Sequence, residues 1–147
     1  MELKGNLFIN ANRTKVFDAI RDPHVMVGCI EGVSDLEAID ESHFRASMQT
    51  RVGFMRLNFK IDVELLEVIA HERVRLQIQG RSIGLVGRLR ATSDTTLSDS
   101  GDGTILNYLT ELVFTGKLGS IGQAAIKAKS SELEKQFAHN LSEALKF

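Results

Sequence analysis

Two periodicities run along the chain. Near its start, Leu3, Leu7 and Ile9 fall on one face of residues 3–10, which predicts a strand. Asn12 then stands where a helix N-cap is expected, and Val16, Phe17 and Ile20 make an apolar stripe over residues 14–21. Asp22-Pro23 ends that helix, because proline disfavours helical angles in the residue before it. Pro23 also suits the start of a second short helix over 24–29, with Gly32 closing it.

A strand-rich stretch follows. Phe44, Ala46, Met48, Thr50 and Val52 alternate with polar residues. Met55, Leu57, Phe59, Ile61 and Val63 do the same over 55–64, the cleanest period-two run in the chain. Val74, Leu76 and Ile78 alternate with Arg73, Arg75 and Gln77, and residues 85–92 read as a further strand with Leu89 and Ala91 inward. Ser100-Gly101-Asp102-Gly103 marks a turn. Beyond it Leu106, Tyr108, Thr110, Leu112 and Phe114 share a face, while Ile105, Leu109 and Val113 opposite them predict a strand covered on both sides. From Ser120 onward the period becomes helical: Ile121, Ala125, Ala128, Leu133, Phe137, Leu141 and Leu145 form the stripe, with Glu132, Glu134, Lys135 and Glu143 away from it. A helix of ~25 residues can cross a small sheet completely. Grouped strands with helices at the ends predict an α+β domain with one sheet face covered.

Composition narrows the chemistry. The chain has 147 residues, one domain's worth (1–147), with 43% apolar and 25% charged residues, the balance of a soluble globular protein. A net charge of −1 gives no bulk attraction for nucleic acid, and outward strand positions lack aromatics on which bases could stack. Cys29 is the one cysteine, which excludes an internal disulfide and any multi-cysteine zinc site. With no base near it in sequence, it reads as a small buried side chain rather than a nucleophile. The four histidines, His24, His43, His71 and His139, show no compact ligand spacing, so neither metal nor cofactor is indicated. No apolar run approaches the ~20 residues of a membrane span, and the start lacks a secretory signal pattern, so a cytoplasmic location is expected. Between Arg45 and Arg90, eight arginines and one lysine stand against four carboxylates, mostly at outward strand positions. Such a face suits anionic lipid headgroups or an acidic partner protein, as well as plain solvation.

The inward set is rich in flexible and aromatic groups and poor in ionisable ones. Met48, Met55, Phe59, Ile78, Leu89 and Leu112 from the strands, Met26 from the second short helix, and Ile121 and Ala125 from the long helix are the expected lining for an apolar guest. Tyr108 offers a hydroxyl to a carbonyl of the guest or to the backbone, and Thr110 is its same-face neighbour. Periodicity alone leaves a filled core as the alternative. Gly116-Lys117-Leu118-Gly119-Ser120-Ile121-Gly122 packs three glycines ahead of the long helix and is no phosphate-binding P-loop, but it suits a flexible gate.

Asp22-Pro23, Cys29-Ile30-Glu31-Gly32, Asp102-Gly103-Thr104 and the glycine-rich segment 116–122, in this order, resemble the carbon monoxide dehydrogenase G-subunit family of the START-like superfamily. Where the family pattern has proline before the glycine, this chain has Glu31. The resemblance implies a helix-grip fold: a curved antiparallel sheet wrapped around the long C-terminal helix, two short helices after the first strand, and an enclosed apolar cavity. It also implies a non-enzymatic accessory role, with a lipid or quinone-like molecule as ligand. The implied partners are the components of a molybdenum hydroxylase, with peripheral contact at the inner face of the membrane. Two rivals remain: a polyketide cyclase or aromatase-like enzyme using Tyr108 and a histidine as acid and base, and a protein-interaction module with a filled core.

Overall fold

The computed structural model describes residues 1–84 and 87–146. After β1 (Glu2–Ile9), the Asn12 side chain accepts a hydrogen bond from the Lys15 N–H at 2.9 Å and opens α1 (Arg13–Ile20). Asp22 does the same for the His24 N–H at 2.9 Å and opens α2 (Pro23–Cys29), so Asp22-Pro23 ends one helix and begins the next. Gly32, at a φ of 89°, then turns the chain into the sheet, where a Cβ would collide with the Gln49 carbonyl oxygen.

The sheet continues with β2 (Val33–Ala38), β3 (His43–Val52), β4 (Met55–Ile69), β5 (Arg73–Ser82), β6 (Gly87–Ser100) and β7 (Gly103–Gly116). All neighbours are antiparallel, in the order β1-β7-β6-β5-β4-β3-β2, so the sheet stays open with β1 and β2 as its edges. A turn of 3-10 helix (Lys117–Ser120) leads into α3 (Gln123–Ala144), which lies over the inner face and runs close along β1. This is the expected helix-grip arrangement.

Several expectations need correction. The sequence pattern predicts no strand over 33–38, where β2 forms; a bulge between Ser34 and Glu37, with Asp35 at a φ of 54°, interrupts its pairing. β4, β5 and β6 run longer than their apolar patterns. The expected start of β6 at Leu85 lies outside the described residues, as does Phe147 at the expected end of the long helix. β7 is not covered on both sides: Leu109 and Val113 are 41% and 52% exposed, since no layer of the described residues lies on the outer face. The long helix begins at Gln123 rather than Ser120, and Ile126 is buried where Ala128 is exposed.

Two apolar clusters hold the layers together. The first joins Leu7 and Ile9 of β1, Val16, Phe17 and Ala19 of α1, Cys29, Leu97, Leu106 and Leu141. Asn140 donates to the Cys29 carbonyl at 3.1 Å, tying α3 to α2 there. The second gathers Leu57, Phe59, Leu118, Ile121 and Ile126 at the opposite end of the sheet. Leu118 and Ile121 are therefore buried anchors inside the glycine-rich segment, which is pinned at both points.

Candidate functional site

Between the two clusters, two consecutive cross-strand rows face α3. One runs Phe44, Val63, Ile78, Ala91, Leu112; the next runs Leu65, Leu76, Ser93, Thr110, Leu3. Of these ten, Ala91 alone is buried; the others keep part of their surface accessible although they point inward. Side chains in a filled sheet-helix interface would be covered as Leu57 and Leu106 are at 3% and 4%. The middle of the inner face is thus apolar and incompletely filled.

The sequence-predicted residues distribute around this zone instead of forming one ring. Met48, Met55, Phe59, Leu89, Ile121 and Ala125 belong to the second cluster, where Phe59 and Ile121 are buried, and Leu112 in the first row packs against it. Met26 and Tyr108 pack against the first. Ile78 and Thr110 lie in the rows between. His24 lies on α2, and His139 is exposed on α3. His71 is exposed in the β4–β5 turn, its ring edge-on to Phe17 at 5.3 Å. Cys29 is buried, which pushes its thiol up, as fits an inert side chain. Among the described residues, no three His, Cys, Asp or Glu side chains converge as a metal site.

Polar groups on the inner face are few, and sequence reasoning missed most of them. Tyr108 donates its hydroxyl to Glu134 Oε2. Glu134, expected on the outside of α3, is half-buried instead. Gly5 makes this contact feasible: it pairs with Tyr108 in register, and a Cβ there would lie 2.9 Å from the hydroxyl and 3.1 Å from Glu134 Oε2. The bare backbone of β1 lets the ring and the helix close over it. Burial first, and then the Glu134 hydrogen bond and charge, push the Tyr108 phenol up to about 12. Thr110 Oγ1 donates to Ser93 Oγ at 3.2 Å. Ser82, inward at the end of β5 and paired with Phe59, has a buried hydroxyl with no partner. A lone hydroxyl in an apolar surround suits the polar end of an amphiphilic guest.

The outer face is different. A trough of about 970 Å3 crosses it, lined among others by Arg45, Lys60, Asp62, Arg81, Arg88 and Arg90. Arg45 pairs with Asp62 at 2.9 Å, Arg75 with Glu67 at 3.6 Å, and Arg73 with Asp94.

A family model for CoxG, the G-subunit family of carbon monoxide dehydrogenase, matches residues 5–146. The chain belongs to that family. No curated protein matches it in sequence. Among solved structures it is similar to a conserved protein from Geobacillus kaustophilus, with a TM-score of 0.90 at 20% identity, covering 99% of this chain and 95% of that one. It is also similar to a START superfamily protein from Mycobacterium smegmatis, with a TM-score of 0.75 at 10% identity, covering 99% and 97% respectively. At such identities these neighbours establish the START-like fold for this CoxG family member. Among the described residues, no helix is long and apolar enough to cross a membrane.

Proposed function

We propose that this CoxG family member is a non-catalytic carrier that holds a lipid or quinone-like molecule between the sheet and α3. In this reading it serves a molybdenum hydroxylase of the carbon monoxide dehydrogenase type at the inner, cytoplasmic face of the membrane. The observation that carries the reading is the pair of inward, mostly apolar rows beneath α3 whose side chains, Ala91 apart, are incompletely covered. Ile78, Leu112 and Thr110 would contact the guest body, with Met26, Met48, Met55, Phe59, Leu89, Ile121 and Ala125 closing the two ends. Binding then comes mainly from apolar burial, at about 25 cal/mol per Å2, while the Ser82 hydroxyl and the Tyr108–Glu134 pair orient the polar end. Family membership supports the choice of partner class.

The Tyr108–Glu134 contact also favours a second reading, a cyclase-like enzyme with a phenol and a carboxylate as acid and base. A phenol held near 12 gives up its proton poorly near neutral pH, which supports a hydrogen-bonding role. Native mass spectrometry of the purified chain, with solvent extraction and added isoprenoid quinone, separates the two. A carrier holds the quinone stoichiometrically and returns it unchanged, and loses it on Leu112→Trp or Ile78→Trp with the fold intact by circular dichroism. An enzyme of the second kind returns altered product from a polyketide-like substrate. A folded chain that takes up no quinone refutes the carrier reading for that ligand class.

A further inference from the structure

Two hairpins at one end of the sheet share a construction that the interior does not explain. In the β3–β4 hairpin, Phe54 is fully exposed at the tip, and behind it Arg51 lies directly opposite Arg56. In the β5–β6 hairpin, Ile83 is 53% exposed, and behind it Arg81 lies directly opposite Arg88. The antiparallel order puts both tips at the same end, where β7 also delivers the exposed Lys117. Like charges directly opposite each other weaken a strand pair. Among the described residues none of the four guanidiniums has an ion-pair partner. Exposed apolar tips rimmed by charge mark a surface meant to be covered.

We infer that this end docks on an anionic lipid bilayer, with Phe54 and Ile83 entering the headgroup layer and Arg51, Arg56, Arg81 and Arg88 meeting lipid phosphates. A bilayer interface offers negative charge at its surface and apolar depth just beneath, which matches basic residues set one step behind protruding apolar ones. The first tip adjoins the start of α3: a Cβ at Gly53 would lie 3.8 Å from that of Ala125. Docking therefore turns the second-cluster end of the interior toward the lipid. This inference rests on the membrane-facing location proposed above but not on guest binding, because vesicle binding is read on guest-free protein.

The test is co-sedimentation of the full chain with vesicles of phosphatidylcholine alone or with about one-third phosphatidylglycerol. Binding to the anionic vesicles is expected to be at least about tenfold tighter and to weaken with added salt. Arg51→Gln and Arg81→Gln each lower the affinity about fivefold, the loss of roughly one basic contact. Phe54→Ser lowers it about tenfold or more while leaving the fold intact, since the side chain packs on nothing. Equal binding to both vesicle types, or anionic binding indifferent to Phe54 and the arginines, overturns the inference. Binding to polyglutamate with the same arginine dependence, and none to vesicles, also overturns it and assigns the arginines to an acidic protein.

Discussion

Glu134→Gln removes the charge that faces Tyr108 while keeping an acceptor of the same shape. In the native chain the phenol is pushed from 10.0 to about 12, by burial first and by the Glu134 hydrogen bond and charge next, against a smaller opposing contribution from Ser130. A displacement of that size corresponds to about 2–3 kcal/mol, before allowing for the water that reaches the half-buried ring. The glutamine takes away the charge and weakens the hydrogen bond but leaves the burial. The variant's phenol should therefore titrate between 10.0 and about 12, below the native midpoint and above the ordinary one. Tyr108 is the single tyrosine and the chain has no tryptophan, so near-ultraviolet tyrosinate absorbance reports this one group. Because the folded state holds the phenolic proton more tightly than the unfolded chain, the associated stability is whole below pH 10.0 and is lost as pH rises toward about 12. Exchanging a charged for a neutral hydrogen bond should lower stability by about 1 kcal/mol, or about 2–4 °C in Tm. A native midpoint at the ordinary value, or a variant midpoint identical to the native one, would refute the reasoning.

Three further perturbations read other parts of the structure. Gly5→Ala places a methyl against the Tyr108 hydroxyl and Glu134, so thermal denaturation should show a loss of about 1–3 kcal/mol and the tyrosinate midpoint should fall. Leu118→Ala empties a fully buried position beside Gly87, and chemical denaturation should report a loss of about 2–5 kcal/mol. His43 is raised above its ordinary value, chiefly by its hydrogen bond to Asp40 and also by the charges of Asp40 and Glu64. NMR titration of Asp40→Asn should show the midpoint falling, and the stability that this pairing adds in the native chain should be whole below pH 6.5 and fade as pH rises through the His43 midpoint.

The strands are legible in the sequence where one face meets water and the other the interior, as over Met55 to Val63. Alternation fails where that contrast is missing. Ser93 and Thr95 put polar groups on the inner face of β6, so its second half has no apolar signature. Leu109 and Val113 suggest an outer layer that the described residues do not form; Val113, being β-branched, suits a strand even where it is exposed. In α3 the difference is one of phase, because a stripe counted from Ile121, which precedes the helix, passes over Ile126. The charge of Glu134 points to the outside of the helix, and only the missing side chain at Gly5 hints that β1 admits close approach. Tyr108 stands out in the sequence as the polar inward residue, but its partner lies 26 residues away on another element, a distance no local pattern spans.

The irregular β2 also governs how this molecule behaves in company. An open sheet exposes two unsatisfied margins, and a protein with apolar tips and an underfilled interior is at particular risk of stacking margin to margin. Here the outermost strand on one side has six residues, is broken by the bulge at Ser34 and Glu37, and carries Asp35 and Glu37. A second copy finds no straight run of free amides to copy, and meets negative charge if it tries. On the other side α3 runs close along β1 and reduces the approach. The chain can thus present greasy surface at its hairpin tips without inviting polymerisation through its sheet.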